Sequence, residues 1–128
     1  MKNIIIKSVK NYVSTYLNES ILPSEKFDIE NCKCIKIGIK EKDKHFFINL
    51  KISLSSLEYI CNTLFGFSSE ELYDDTAKEM LNVIAGNILL QMKSEYVLQI
   101  PQMCNSCKTE KGIFFKNKNI RFSISIIK

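Results

Sequence analysis

The chain is poor in several things at once. Among 128 residues it has no Trp, two Pro, four Gly and one His. So few glycines exclude a fold made of tight turns and also a Gly-rich phosphate loop. No run of basic residues is present. The lysines are scattered from Lys2 to Lys128, and the formal net charge is only +4. That pattern describes a solvated surface, not the basic stripe with interleaved aromatics that binds nucleic acid. Long apolar runs are missing too. Ile4-Ile5-Ile6 is soon interrupted by Lys7 and Lys10, and the stretch from Met80 to Met92 contains Asn82, Asn87 and Gln91. Neither has the length of a signal segment or a membrane span, so we expect a cytoplasmic protein with reduced thiols.

What is present is ordinary for a globular chain: 45% hydrophobic and 25% charged residues. This excludes collagen-like, disordered and disulfide-scaffold classes and predicts one domain over residues 1–128. The five cysteines are odd in number and cannot all pair within the chain. Cys32-x-Cys34 and Cys104-x-x-Cys107 invite a zinc test, but the tetrathiolate signature repeats the C-x-x-C knuckle and here one half is C-x-C. Ordinary thiols and no bound metal are the expectation. A thioredoxin-like role for Cys104 and Cys107 fits poorly, because polar loop sequence follows them. The lone His45 lies beside Phe46 with no catalytic partner in view. It reads as a surface or packing residue.

Periodicity divides the chain. Ile5, Val9, Val13 and Leu17 recur at fourfold spacing, with Tyr12 and Tyr16 beside them, and predict a helix from Asn3 to about Ser20. Pro23 and Ser24 then open a connection. Cys32 to Ile39 alternates apolar residues with lysine, and Phe46 to Ile52 follows the charged turn Glu41-Lys42-Asp43-Lys44. These predict an antiparallel hairpin. Ser53 to Leu64 returns to helical spacing and stops at Gly66. Ser68 to about Ser94 predicts the longest helix, with Ser68 and Glu71 at capping-box spacing and acids in its first turns. Val97 to Met103 is strand-like up to Pro101. Ile113 to Phe115 and Ile120 to Ile127 predict a final hairpin. The class is α/β in the α+β sense: an antiparallel-rich sheet packed with long helices.

The long helix carries the functional signal. At 100° per residue, Ala77, Met80, Leu81, Ile84, Ile88 and Met92 share one side and face the core. Asp75, Glu79, Asn82, Gly86 and Lys93 lie on the opposite side, with Val83 and Leu90. Glu79 and Asn82 are neighbours there, three residues apart. Mid-helix Asn and Gly lower helix propensity. A face that keeps them beside Val and Leu suits docking, with a carboxylate and an amide at its centre. The plainer reading makes Glu79 a surface acid, Asn82 a tolerated polar residue and Gly86 a helix-packing contact.

The segment Glu79-Met80-Leu81-Asn82-Val83-Ile84-Ala85-Gly86-Asn87 resembles the E-x-x-N…A-G-N segment of the CheX group within the CheC/CheX/FliY phosphatases of bacterial chemotaxis. Phe65-Gly66 and the acidic approach from Ser69 to Asp75 resemble the lead-in to that helix. Leu98-Gln99-Ile100-Pro101 resembles the strand that follows it. The order of elements agrees over nearly the whole chain. One E-x-x-N, rather than two, favours the one-site CheX type.

The resemblance implies a phosphatase for the phospho-aspartate of a CheY-like response regulator. Asn82 would orient the attacking water and Glu79 would meet the regulator's active-site lysine. Asp75, Val83, Gly86 and Leu90 would border the docking face. The Mg²⁺ would belong to the regulator, so this chain would need no cofactor. The resemblance also implies association through sheets into dimers; the strand-like Ile120 to Ile127 would be an exposed edge if left unpaired, and we expect a homodimer. Two alternatives stay open: a non-catalytic module that docks on a receiver domain or a flagellar switch protein, and a zinc- or thiol-dependent sensor using Cys32, Cys34, Cys104 and Cys107.

Overall fold

A computed structural model describes residues 1–93, 95–105 and 111–128. Three helices and seven strands are formed among these residues: α1 (Lys2–Leu17), β1 (Leu22–Ser24), β2 (Cys32–Glu41), β3 (Lys44–Ser53), α2 (Leu54–Phe65), α3 (Glu70–Met92), β4 (Val97–Leu98), β5 (Gln102–Cys104), β6 (Ile113–Lys116) and β7 (Arg121–Ile127). The strands make one sheet in the order β1-β6-β7-β3-β2-β4, with β5 also on β2. Every pairing is antiparallel.

The alternation along β2 and β3 decides which side of the sheet is the core. Ile35, Ile37 and Ile39 of β2 share a face with Ile48, Leu50 and Ile52 of β3, and all six are fully buried. Phe115, Phe122 and Ile124 extend that face across β6 and β7. The helices lie on it, adding Val9, Val13, Leu57, Ile60, Met80, Leu81, Ile84 and Ile88 to one core. Each such aliphatic side chain is worth about 1.5–3 kcal/mol relative to exposure. The period-2 and period-3.6 patterns therefore point at one another, and the two layers follow from that.

Local chemistry sets the boundaries. α1 ends at Asn18, which takes the left-handed conformation (φ 53°). α2 starts at Ser53, whose Oγ accepts from the Ser56 amide at 3.2 Å, and ends at Gly66 with φ 79°. The β2–β3 turn is the pair Lys42-Asp43, with Lys42 at φ 40°. Gly38 sits at a close approach of the chain. The Gln99 amide donates to its carbonyl at 2.9 Å, and the Gln99 side chain folds across the place a Cβ would occupy.

Four expectations need correction. The long helix is capped by the extended Ser69, with no side-chain capping bond, so the Ser68–Glu71 box is not formed. Pro23 and Ser24 do not merely connect; they belong to β1 and pair with Phe115 and Phe114. The stretch from Val97 to Met103 is two short strands, β4 and β5, broken around Gln99 to Pro101. The segment from Ile120 to Ile127 is not an edge. β7 lies inside the sheet between β6 and β3, and the edges fall on β1 and on β4 with β5.

Candidate functional site

α3 begins with Glu70 and Glu71, acids that favour the positive end of a helix dipole. It is held near both ends. Lys33 of β2 pairs with Asp74 at 3.2 Å. The Thr76 Oγ1 lies 3.3 Å from the Cys61 Sγ of α2. Near the other end, the Gln91 side-chain amide donates to the Ser8 Oγ of α1 at 2.7 Å, and the Ser8 hydroxyl donates to the Ile4 carbonyl. Between these anchors Thr76, Ala77, Met80, Leu81, Ile84, Ala85 and Ile88 are buried. The helix is thus fixed along its whole length against the sheet and its two neighbours. Met92, expected in the core, is only half-buried.

The opposite face is open. Asp75, Glu79 and Leu90 are exposed, and Asn82, Val83 and Gly86 are half-buried. The helix brings Glu79 and Asn82 together one turn apart on that face, with Asp75 one turn before them. Leu90, 80% exposed, stands about 12 Å further along the axis from Asn82. It extends the face rather than joining its centre. A Cβ added at Gly86 would meet nothing within 4 Å. That removes the reading of Gly86 as a helix-packing contact. The glycine leaves open space one turn from Asn82 at a helix-propensity cost of about 1 kcal/mol.

One flank of this face was not read from the pattern. Tyr12 of α1 is buried and stacks on Tyr16, with ring centroids 5.0 Å apart. Burial pushes the Tyr12 phenol well above its ordinary range. The neighbouring Tyr16 and the Glu79 carboxylate push it further. Tyr12 therefore lies within electrostatic reach of Glu79, and α1 borders the candidate site. The i, i+4 tyrosine pair was visible in the sequence, but nothing local said which helix it would meet.

The remaining candidates lie elsewhere. His45 is exposed, its Nε2 3.2 Å from the Gln99 Oε1 and its ring 4.8 Å from that of Phe47. Cys32 and Cys34, two apart on β2, share one face of the sheet, and Cys34 stands directly opposite Cys104 of β5. Cys107 lies outside the described residues. Among the described residues no group of three or more His, Cys, Asp or Glu side chains is arranged to hold a metal. No described helix is long and apolar enough to cross a membrane.

No family model matches the chain, and no curated protein matches it. Solved structures do. CheX from Vibrio vulnificus superimposes with a TM-score of 0.81 at 14% identity, over 98% of this chain and 93% of that one. A CheC-like superfamily protein from Shewanella sp. PV-4 gives 0.76 at 17% identity, over 98% and 95%. The CheX–CheY–BeF3–Mg²⁺ complex from Borrelia burgdorferi gives 0.68 at 13% identity, over 98% and 96%. With three helices on an antiparallel sheet of seven strands, the described chain has the fold of the CheX and CheC-like chemotaxis proteins.

Proposed function

We propose that this protein docks the open face of α3 onto a CheY-like receiver domain and hydrolyses its phospho-aspartate. The observation that carries the reading is the placement of Glu79 and Asn82. They are adjacent on the solvent face of an anchored helix, beside the open space at Gly86. The solved CheX–CheY complex, whose fold this chain shares, supports the choice of partner.

The chemistry suits these groups. An acyl phosphate is already activated, so its hydrolysis needs chiefly a positioned water and compensation of charge. The Asn82 amide accepts a hydrogen bond from water through its carbonyl oxygen and donates to a phosphoryl oxygen through its nitrogen. Being neutral, it does not repel the phosphoryl group. Glu79 keeps its negative charge clear of the phosphate by pairing with a lysine of the receiver, which also fixes the docking register. Asp75, Val83 and Leu90 supply the border, and Gly86 admits the partner's surface close to Asn82. The Mg²⁺ would belong to the receiver, so this chain would need to contribute no ligand to it. The same reading places the protein in the cytoplasm with its partner. Self-association through the sheet would use the β1 edge or the β4–β5 edge.

The test is phosphate release from a phosphorylated receiver domain, paired with a binding measurement. Asn82→Ala should abolish the acceleration and still bind. Glu79→Ala should weaken productive docking, seen as a raised KM. A variant carrying both substitutions that releases phosphate at the wild-type rate would show that the site is elsewhere. A wild type that binds without accelerating release would identify a docking module.

A further inference from the structure

We infer that Cys34 and Cys104 form a reversible disulfide, an oxidation site on the sheet face turned away from α3. The two residues are direct partners in the β2–β5 ladder. Directly opposed residues of an antiparallel pair have Cα atoms about 4.5–5.5 Å apart and side chains on one face. That separation lies inside the roughly 4.4–6.8 Å that a disulfide spans. The face is fixed by the neighbours. Ile35, next to Cys34, is fully buried toward the helices, so Cys34 and Cys104 project to the other side.

Their environments differ in a way that orders the chemistry. Cys34 is only 8% exposed, whereas Cys104 is half-buried and lies at the sheet edge. Cys104 is the sulfur an oxidant reaches first. With a hydroperoxide, the Cys104 thiolate attacks the O–O bond, takes one oxygen as a sulfenic acid and releases water or an alcohol. The Cys34 sulfur then displaces hydroxide from that sulfenic acid. The S–S bond forms and a second water leaves, so two thiols lose two electrons to one peroxide. Cys61 is a built-in control. It is buried in α2, against Thr76, on the helix side of the sheet.

β5 pairs only through the three residues Gln102, Met103 and Cys104. The disulfide would staple this short edge strand to β2 and close a loop of about 70 residues. The inference does not depend on the proposed phosphatase activity, because Glu79 and Asn82 play no part in it.

The test treats the full chain with limiting hydrogen peroxide, alkylates it without reductant, and maps the linked peptides by mass spectrometry. We expect a Cys34–Cys104 linkage, lost on adding dithiothreitol, with Cys61 alkylated throughout. The oxidised protein should unfold roughly 5 °C or more above the reduced one. Cys104→Ser should lose both the linkage and the rise. A linkage of Cys104 to Cys32 or Cys107 would overturn the inference. So would Cys104 oxidised beyond the sulfenic acid while Cys34 remains alkylated.

Discussion

Two residues make separable contributions at the residue scale. Glu19 sits where α1 meets the β6–β7 turn. Its carboxylate accepts from the Tyr59 hydroxyl and from the Asn117 and Asn119 side-chain amides, the latter two at 3.1 Å each. Partial burial pushes the Glu19 carboxyl up, but these hydrogen bonds outweigh it, with Lys118 adding, and hold it below the usual carboxylate range. The same bond raises the Tyr59 phenol. A carboxyl lowered by folding stabilises above its unfolded pKa, and that stabilisation is lost as pH falls through the folded value. Thermal midpoints of wild type and Glu19→Gln should therefore differ most above about pH 5 and converge as the solution is acidified. A gap independent of pH would assign the effect to shape alone. Gly86 gives a second residue-scale prediction. With open space around its Cβ position, Gly86→Ala should raise stability by up to about 1 kcal/mol in urea titrations and should weaken receiver binding. A variant both more stable and equally tight in binding would remove Gly86 from the docking face.

The two faces of α3 separate stability from function at the element scale. Leu81 is fully buried and Asn82, the next residue, is half-buried on the open side. Leu81→Ala should cost about 2–5 kcal/mol in denaturant unfolding, whereas Asn82→Ala should stay within about 0.5 kcal/mol. Equal losses at both positions would mean that Asn82 is held by the fold rather than presented from it. The core face of this helix was legible because Ala77, Met80, Leu81, Ile84 and Ile88 obey one period, and burial follows that period. Its N-cap was less legible. Ser68 and Ser69 offer the same chemistry one residue apart, and the backbone chose Ser69.

The molecule as a whole shows where local reading stops. The apolar alternation of Ile120 to Ile127 identified a strand, but alternation says nothing about neighbours. Its place between β6 and β3 comes from pairings such as Asn49 with Ser125, far apart in sequence. The same limit hid the cross-strand meeting of Cys34 with Cys104, and the approach of Tyr12 to Glu79. The central pair Glu79 and Asn82 was legible because both residues and the helix that presents them lie within one segment. The electrostatic surroundings of the pair were not, because the buried Tyr12 of α1 lies within reach of Glu79. The fold thus provides an anchored platform, and the proposed chemistry would ask little more of it, since under that proposal the receiver would bring the metal and the activated phosphate. The most direct measurement is single-turnover phosphate release from a phosphorylated CheY-like receiver saturated with this protein. The account predicts acceleration by the wild type and a loss of about 100-fold or more of that acceleration in Asn82→Ala, with receiver binding retained. Undiminished acceleration by Asn82→Ala would contradict it.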